Sequence, residues 1–201
     1  MGSSRSLASP DPHTMPPSSF TPNWFVGIPI VSEGWFDKLA PTPPDGLRRF
    51  HPDDLHLTVA FLGPVEESQA HAGWDALRWD LPTTTATLGQ VVPMGAPHRY
   101  SALSVELVQA RTAIEQAIGQ CRDAVCDAAG ARRENRPPKA HITIARPSRR
   151  ASEEQRSAGL RWAQRLDFHQ QPVVLDSVAL YTWADDRRDR QFKIVLRSAW
   201  T

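Results

Sequence analysis

Two segments of the sequence carry the same short pattern, a histidine and a threonine two residues apart in an otherwise apolar run. HLTVAFLG begins at His56, and HITIARP begins at His141. Successive side chains of a β-strand point to opposite faces, so each segment predicts a strand with its His and Thr on one face and its apolar residues on the other. Strict alternation would place Phe61 on the apolar face. These two strands constrain the fold more than any other feature of the chain.

The repeated pattern is too specific to arise twice by accident. An apolar residue stands between His and Thr in both segments, and another follows the Thr. In a chain with seven histidines and an apolar share of 40%, chance supplies roughly 0.06 such motifs. A single HxT motif would carry little information, whereas two of them indicate a shared role.

The sequence beyond these motifs alternates strand-like and helix-like segments. We expect strands at 23–30, 56–63, 83–95, 100–108, 141–147, 172–183 and 191–198, and helices from Ser32, at 65–79, at 109–130 and, capped by Ser152, at 152–166. Helices interspersed among mostly antiparallel strands predict an α+β fold. A similar order of strands and helices occurs twice, each time with one HxT strand. We therefore expect two similar lobes with outer helices around a central cleft, related by a pseudo-twofold axis.

The ends of the chain differ in composition from its middle. Residues 1–22 are rich in Ser and Pro and predict a disordered tail, which leaves a single bilobed domain over residues 23–201. No apolar run has the length of a signal peptide or a membrane span. Cys121 and Cys126 fit two free thiols in a reducing compartment better than a zinc or redox pair. We therefore expect a cytoplasmic monomer without contact to membranes.

The balance of charge limits the kind of partner. Lys and Arg total 23 against 22 Asp and Glu, a net charge of +1. Proteins that bind long nucleic-acid duplexes usually have many more basic than acidic residues. A small molecule or a chain end that carries a phosphate is therefore the better candidate ligand for this chain. The arginine-rich stretches 131–139 and 185–190 are typical of solvated loops. The first immediately precedes the second motif, so steering of phosphates towards the cleft is its alternative role.

The polar faces of the two strands suit phosphodiester chemistry. Buried without partners, these groups would each cost about 1–3 kcal/mol, so we expect them to line an open cleft. Near neutral pH one imidazole can accept a proton while the other donates one. The threonine hydroxyls can hold the non-bridging phosphate oxygens. This chemistry requires no metal or cofactor, and the acidic pairs 53–54 and 185–186 are typical of turns or solvated faces.

HLTVAFLG after a PDDL lead-in, together with HITIARP, resembles the two-histidine (2H) phosphoesterase superfamily, and within it the RNA 2′,3′-cyclic phosphodiesterases, also called 2′-5′ RNA ligases. The resemblance extends from FVGIPI to SVALYTW. It implies metal-independent opening of a terminal ribose 2′,3′-cyclic phosphate to a 2′-phosphate, and joining of RNA ends by the reverse reaction. Carried over by motif, His56 and His141 become the catalytic pair, and Thr58 and Thr143 become the phosphate-binding pair.

Some roles remain open at this point. By analogy with the family, His141 would activate water and His56 would protonate the departing 3′ oxygen, although the sequence itself does not assign them. Arg146 stands where the family often has arginine and would contact phosphate or form a structural ion pair. Strict alternation places it opposite His141 unless the strand bends or ends first. Tyr181 is a candidate for stacking on a base, with core packing as the alternative.

The expected partner is an RNA 3′ end or a small nucleotide. The same chemistry would also serve 2′-5′ oligoadenylates, cyclic oligonucleotides or ADP-ribose cyclic phosphate, because the motif residues touch only the phosphate. A protein that binds RNA ends without catalysing a reaction is an alternative of a different class. The loss of a histidine or threonine from either motif would indicate this alternative. A structural protein with both HxT strands buried is the third alternative.

Overall fold

The computed structural model describes residues 21–200, and the first 20 residues of the predicted tail and Thr201 lie outside this range. Over the described range, nine strands, four α-helices and one 3₁₀ turn follow the chain. They are β1 (Trp24–Pro29), α1 (Trp35–Leu39), β2 (Leu47–Arg49), the 3₁₀ turn (Pro52–Asp54), β3 (His56–Gly63), α2 (Glu67–Asp75), β4 (Thr84–Pro93), β5 (Leu103–Leu107), α3 (Arg111–Ala128), β6 (His141–Pro147), α4 (Glu153–Ala163), β7 (Pro172–Leu175), β8 (Ser177–Trp183) and β9 (Phe192–Ala199).

The strands form one antiparallel sheet with the two HxT strands at its centre. Its order is β7-β4-β5-β6-β3-β1-β8-β9, with β2 added beside β6. We call the junction between β3 and β6 the seam. The strands on its two sides correspond in order: β1 corresponds to β5, β8 to β4 and β9 to β7. The first lobe is therefore β3, β1, β8 and β9, and the second is β6, β5, β4 and β7. The α+β class and the two similar lobes are confirmed.

The prediction of a single strand over 172–183 is wrong, because two strands form there, one on each side of Asp176. Residues before it form β7 and pair with β4 of the second lobe, whereas residues after it form β8 and pair with β1 of the first lobe. Only one residue separates these strands, although they lie near opposite ends of the strand order. The sheet must therefore curl until its two ends approach each other.

The helices pack on the sheet face that carries the apolar residues of the HxT strands. Leu57 of β3 and Ile142 of β6 are buried in one core together with Ile114 and Ile118 of α3. The predicted cap of α4 is confirmed, since the Ser152 hydroxyl accepts a hydrogen bond from the Gln155 backbone N–H at 3.2 Å. No helix in residues 21–200 is long and apolar enough to cross a membrane.

Two local predictions differ from the structure. The first helix starts at Trp35 rather than at Ser32, because Gly34 adopts a left-handed conformation (φ +82°) immediately before it. The short strand β2 follows the turn at 41–46 and was not predicted, since three residues are too few for a periodic signal. It pairs with β6 next to the second motif.

Candidate active site

The register between β3 and β6 brings the two motifs together. Leu57 pairs with Ile142 in the antiparallel arrangement. One residue further along each strand, this register places His56 opposite Thr143 and His141 opposite Thr58. The four side chains share the face opposite the core, and the histidines lie on a diagonal with Cβ atoms about 7 Å apart. The positive charge of His141 contributes to lowering the pKa of His56, as expected for neighbours.

Both imidazoles are oriented by the same backbone contact. The Nδ1–H of His56 donates to the carbonyl of Asp54 at 2.7 Å, and the Nδ1–H of His141 donates to the carbonyl of Lys139 at 2.6 Å. A carbonyl can only accept, so Nδ1 must carry the proton in each ring. In the neutral tautomer, Nε2 of each ring is therefore free to accept a proton from a ligand.

Aromatic residues surround His56. Its ring centroid lies 4.6 Å from that of Phe25, 5.5 Å from that of Tyr181 and 5.4 Å from that of Phe192. Burial in this environment is the main cause that lowers the pKa of His56 to about 4; the Asp54 carbonyl raises it, and the charges of Arg146 and His141 lower it further. His56 is therefore neutral at physiological pH.

Charged residues surround His141. Glu106 of β5 is its partner across the strand pair and forms an ion pair with Lys139 at 2.9 Å. Burial is again the main cause that lowers the pKa of His141, and the charges of Lys139 and Arg146 add to it. The Lys139 carbonyl and the Glu106 carboxylate oppose this shift. The pKa of His141 is therefore lowered overall, and the neighbouring carboxylate only partly opposes this shift.

The two threonines also differ in their neighbours. The hydroxyl of Thr143 is hydrogen-bonded to that of Ser104 on β5 at 3.3 Å, and Ser104 is fully buried. Thr58 instead pairs with Gly27 on β1, where an added Cβ would lie 2.9 Å from the Leu57 carbonyl oxygen. Sequence reasoning missed Ser104, since nothing near it in the chain marks it as the partner of Thr143.

A β-bulge follows each motif and changes which face the next residues occupy. In the pairing of β3 with β1, Val59 is the extra residue, and in the pairing of β6 with β5 it is Ile144. One extra residue reverses the alternation. The prediction that Phe61 lies on the apolar face is therefore wrong. Phe61 is 57% exposed and lines the cleft with Thr58.

The bulge at Ile144 brings Arg146 to the cleft face in the same way. Its charge lowers the pKa of both histidines, which places the guanidinium near the two rings. The guanidinium carbon lies 5.6 Å from the centre of the Phe50 ring. Among residues 21–200, no carboxylate lies within ion-pair distance of Arg146. Its charge is therefore available to a ligand, which favours phosphate contact over the structural ion pair.

Tyr181 lies on the same face but is buried. It is 2% exposed and stacks on Phe25, with ring centroids 4.7 Å apart and planes 4° apart. Burial raises the pKa of its hydroxyl. Since Phe25 in turn packs on His56, this geometry favours the packing alternative for Tyr181 over stacking on a base.

Asp54 is a supporting residue that sequence reasoning assigned to a turn or a solvated face. It does lie in the 3₁₀ turn, but its side chain does not face solvent. Asp54 is fully buried, and its carboxylate accepts hydrogen bonds from the backbone N–H groups of Gln191 at 2.7 Å and Phe192 at 3.0 Å. Its own carbonyl orients His56. One residue therefore connects the start of β9 to the first histidine.

The site contains no acidic cluster of the kind that holds metals. Over residues 21–200, no group of three or more His, Cys, Asp or Glu side chains is arranged to bind a metal ion. The predicted thiols, Cys121 and Cys126, are buried and unpaired with each other on α3, away from the histidines.

Solved structures share this fold. LigT from E. coli, in complex with 3′-AMP, has a TM-score of 0.65 and 25% sequence identity over 90% of this chain and 99% of that chain. The chain has the two-histidine phosphoesterase fold. The resemblance drawn from the two HxT segments is thereby confirmed.

More distant structures agree with this fold. TT0787 of Thermus thermophilus has a TM-score of 0.63 at 16% identity, over 89% of this chain and 97% of that chain. Usb1 of Kluyveromyces marxianus has a TM-score of 0.51 at 10% identity, over 80% and 93%. The sequence matches no protein-family model and has no significant match among curated proteins.

Proposed function

We propose that this chain is a phosphodiesterase that opens 2′,3′-cyclic phosphates at RNA 3′ ends or on small nucleotides and leaves a 2′-phosphate. One observation carries the proposal: the two HxT motifs lie in register on adjacent strands, with both Nε2 atoms free. A phosphate between the rings has a proton acceptor and a proton donor on opposite sides, as in-line displacement at phosphorus requires. LigT structures with 3′-AMP, ATP, NADP⁺ and phosphate support a nucleotide ligand.

The reaction follows from these groups. Neutral His56 takes a proton from water through Nε2, and the water oxygen attacks phosphorus. The bond from phosphorus to the ribose 3′ oxygen breaks, and protonated His141 gives its proton to that oxygen. The products are a 2′-phosphate and a 3′-hydroxyl, so atoms and charge balance. The same displacement, with an RNA 5′-hydroxyl in place of water as the attacking group, would join ends through a 2′-5′ linkage and free the 3′-hydroxyl.

This assignment of acid and base reverses the one implied by the family resemblance. It rests on the surroundings of the two rings. The aromatic packing around His56 penalises its charged form, so this ring is neutral and ready to accept a proton. Burial and the charges of Lys139 and Arg146 lower the pKa of His141 as well, but Glu106 opposes this shift and favours the charged form that a proton donor needs. A bound phosphate anion would raise the pKa of both rings and bring them closer to neutral pH.

Thr58, Thr143 and Arg146 would hold the phosphate. The two hydroxyls can donate to the non-bridging oxygens, while the guanidinium offsets their charge as it builds up in the transition state. Ser104 fixes the direction of the Thr143 hydroxyl. None of these groups needs a metal ion to act.

The test is a panel of substrates with the products resolved as 2′- or 3′-phosphates. It includes adenosine 2′,3′-cyclic phosphate, an RNA oligonucleotide ending in a cyclic phosphate, a 2′-5′ oligoadenylate, a cyclic dinucleotide and ADP-ribose cyclic phosphate. We expect 2′-phosphate products from the first two, unchanged by a chelator and lost in His56→Ala and His141→Ala. Full activity in either variant would refute the proposal, and abolition by the chelator would refute its metal-independent mechanism. Tight binding without product would identify a binding module instead.

We further propose that residues 23–201 act as one monomeric domain in the cytoplasm. The cleft is completed by the two lobes of a single chain, so it requires no second copy. Light scattering at micromolar concentration is expected to give the mass of one chain, and a dimer would contradict this.

A further inference from the structure

A group of arginines lies just beyond the point where β3 begins. On β6, Thr143 is opposite His56, and the residues that follow pair with β2 instead of β3, so that Arg146 is opposite Arg48. His141 lies in the other direction along β6. The two arginines are therefore on the side of His56 that points away from His141.

These two arginines share the cleft face. Side chains directly opposite each other in an antiparallel pair lie on the same face, and like charges in this position repel each other. Arg48 also binds the loop between β8 and β9. Its Nη2 donates hydrogen bonds at 2.8, 3.1 and 3.4 Å to the backbone carbonyls of Arg187, Arg188 and Asp189. The loop is thereby held beside the cleft.

Arg187 of this loop adds a third cation. Its guanidinium carbon lies 4.1 Å from the centre of the Trp183 ring, and Trp183 shares the cleft face with Tyr181, two residues before it on β8. Burial lowers the pKa of Arg187, the charge of Arg48 lowers it further, and the charge of Asp54 opposes this shift. Arg187 therefore lies close to both residues. Its contact with the Trp183 ring positions the guanidinium without using its N–H donors.

The neighbouring carboxylates leave this positive charge unbalanced. Over residues 21–200, no carboxylate lies within ion-pair distance of Arg48, Arg146 or Arg187. The oxygens of Asp54 accept hydrogen bonds from backbone N–H groups. Three acidic residues around the loop have other partners: Asp53 pairs with Arg190 at 3.6 Å, Asp185 with Lys193 at 2.6 Å and Asp186 with Arg188 at 3.2 Å. Three cations without a carboxylate partner on one face are suited to an anionic ligand.

We propose that Arg48 and Arg187 bind a phosphate of an RNA strand whose 5′-hydroxyl replaces water as the attacking group, and we call these two residues the strand site. The inference rests on the proposed function, in which His56 accepts the proton of the attacking oxygen and Arg146 contacts the reacting phosphate. The attacking strand then approaches from the side of His56, where the two arginines lie. Its first phosphate, one nucleotide along from the 5′ oxygen, binds at the strand site.

The step is the displacement described above with a different attacking group. His56 takes the proton of the 5′-hydroxyl, and the 5′ oxygen bonds to phosphorus. The bond from phosphorus to the 3′ oxygen breaks as His141 protonates that oxygen. Binding at the strand site raises the local concentration of the 5′-hydroxyl beside phosphorus, so joining competes better with hydrolysis.

The first experiment compares two attacking groups that differ by one phosphate. An RNA oligonucleotide that ends in a 2′,3′-cyclic phosphate is mixed with adenosine or with adenosine 3′-monophosphate, and each of these has a free 5′-hydroxyl. The measured quantity is the ratio of 2′-5′-joined product to 2′-phosphate. Competition of the monophosphate with the oligonucleotide lowers both products alike and leaves this ratio intact. We expect the wild type to give a ratio about ten-fold higher with the monophosphate, and Arg187→Gln to lose this preference.

Arg188→Gln is the matched control, because it removes the same charge from the same loop. Arg188 is exposed and pairs with Asp186, so this variant should keep the wild-type preference. Arg48→Gln should lose the preference, since it removes one cation and releases the loop that carries the other. Equal ratios for both attacking groups in the wild type, or equal losses in Arg187→Gln and Arg188→Gln, would overturn the strand site while leaving the hydrolase intact.

Binding measured by calorimetry separates this inference from the proposed function. The ligand is a 2′-5′-linked dinucleotide of 3′-deoxyadenosine and adenosine, with or without a phosphate on the 3′ oxygen of the adenosine. Its linkage cannot form a cyclic phosphate, because the neighbouring 3′-hydroxyl is absent. Weaker binding of only the phosphorylated compound to Arg187→Gln would support the strand site even if no cyclic phosphate were hydrolysed, an outcome that would refute the hydrolase. Affinities that do not depend on the added phosphate or on Arg187 would overturn the strand site, and binding of neither compound would overturn both proposals.

Discussion

The two HxT strands follow the same plan and then differ at one residue. Both place His and Thr on the cleft face, and both continue into a bulge that returns the third residue after Thr to that face. That residue is Phe61 on β3 and Arg146 on β6. A pseudo-symmetric frame thus presents an aromatic surface at one end of the seam and a cation at the other. The two ends of the seam therefore differ in chemistry although the backbone around them follows the same arrangement.

The two histidines show a second difference of the same kind. The environment of His56 is aromatic and allows little charge, whereas His141 has a carboxylate across the strand pair. Identical backbone contacts orient both rings, so their difference in proton affinity comes from their neighbours. A symmetric frame can therefore supply an acid and a base from the same residue type.

The largest expected effect comes from removing either histidine. His56→Gln and His141→Gln should each lower kcat/KM about 10²–10⁴-fold, as loss of a general acid or base does. For the wild type, activity should rise through pH 4, where His56 loses its proton. It should fall again through the pKa of His141, which lies below 6.5.

The pH profiles of the two variants distinguish their roles. His141→Gln should keep the rise near pH 4 and lose the fall at higher pH, whereas His56→Gln should keep only the fall. The opposite pattern would show that His141 is the base.

The second prediction concerns stability at acid pH. The pKa of His56 is about 4 in the folded state and near 6.5 when unfolded, so the unfolded chain binds the proton more readily. This contribution is fully present above pH 6.5 and is lost as the pH falls to 4, by about 3 kcal/mol. Urea unfolding at several pH values should show a smaller loss for His56→Gln. Equal pH dependence in both proteins would contradict the burial of a neutral His56.

The third prediction concerns the connection between Asp54 and β9. Asp54→Ala leaves the backbone N–H groups of Gln191 and Phe192 without partners and should lower the free energy of unfolding by about 1–3 kcal/mol. It should also lower kcat, because Phe192 packs on His56. The neighbouring exposed Asp53→Ala is the control and should change stability by less than about 0.5 kcal/mol. If the two variants behaved alike, the carboxylate of Asp54 would have no supporting role.

The smallest expected effect separates Arg146 from the other arginines near the second motif. Arg146→Gln should lower kcat/KM about ten-fold through loss of one charge-assisted contact to phosphate. Arg149→Gln, an exposed residue three positions later, should leave kcat/KM unchanged. Comparable values for the two variants would assign Arg146 to the surface rather than to the phosphate.

The sequence allowed the central strands and the shared face of the four motif residues to be predicted, because a period of two over an apolar run specifies which side chains lie on the same side. It did not allow the positions of Phe61 and Arg146 to be predicted. Bulges depend on the register with β1 and β5, and nothing in HLTVAF or HITIAR alone marks the extra residue. Strict alternation therefore failed at the same step in both strands.

Contacts between distant parts of the chain explain the other errors. The carboxylate of Asp54 binds backbone groups 137 and 138 residues later, so a local pattern shows only an acidic pair in a turn. The strand predicted at 172–183 contained one available signal, the single acidic residue Asp176 inside an apolar run. Periodicity could indicate a break there, but it could not show that the two halves belong to different lobes.

The division at Asp176 has a consequence for how the molecule can move. A single residue ties β7 of one lobe to β8 of the other, and the Leu57–Ile142 pair joins the lobes again at the seam. A hinge motion that increased the distance between the two imidazoles would have to change the structure both at Asp176 and at the Leu57–Ile142 pair. The covalent link at Asp176 therefore limits the distance between the two imidazoles. Cleavage of the chain at Asp176 should weaken substrate binding, although no residue that contacts the substrate is removed.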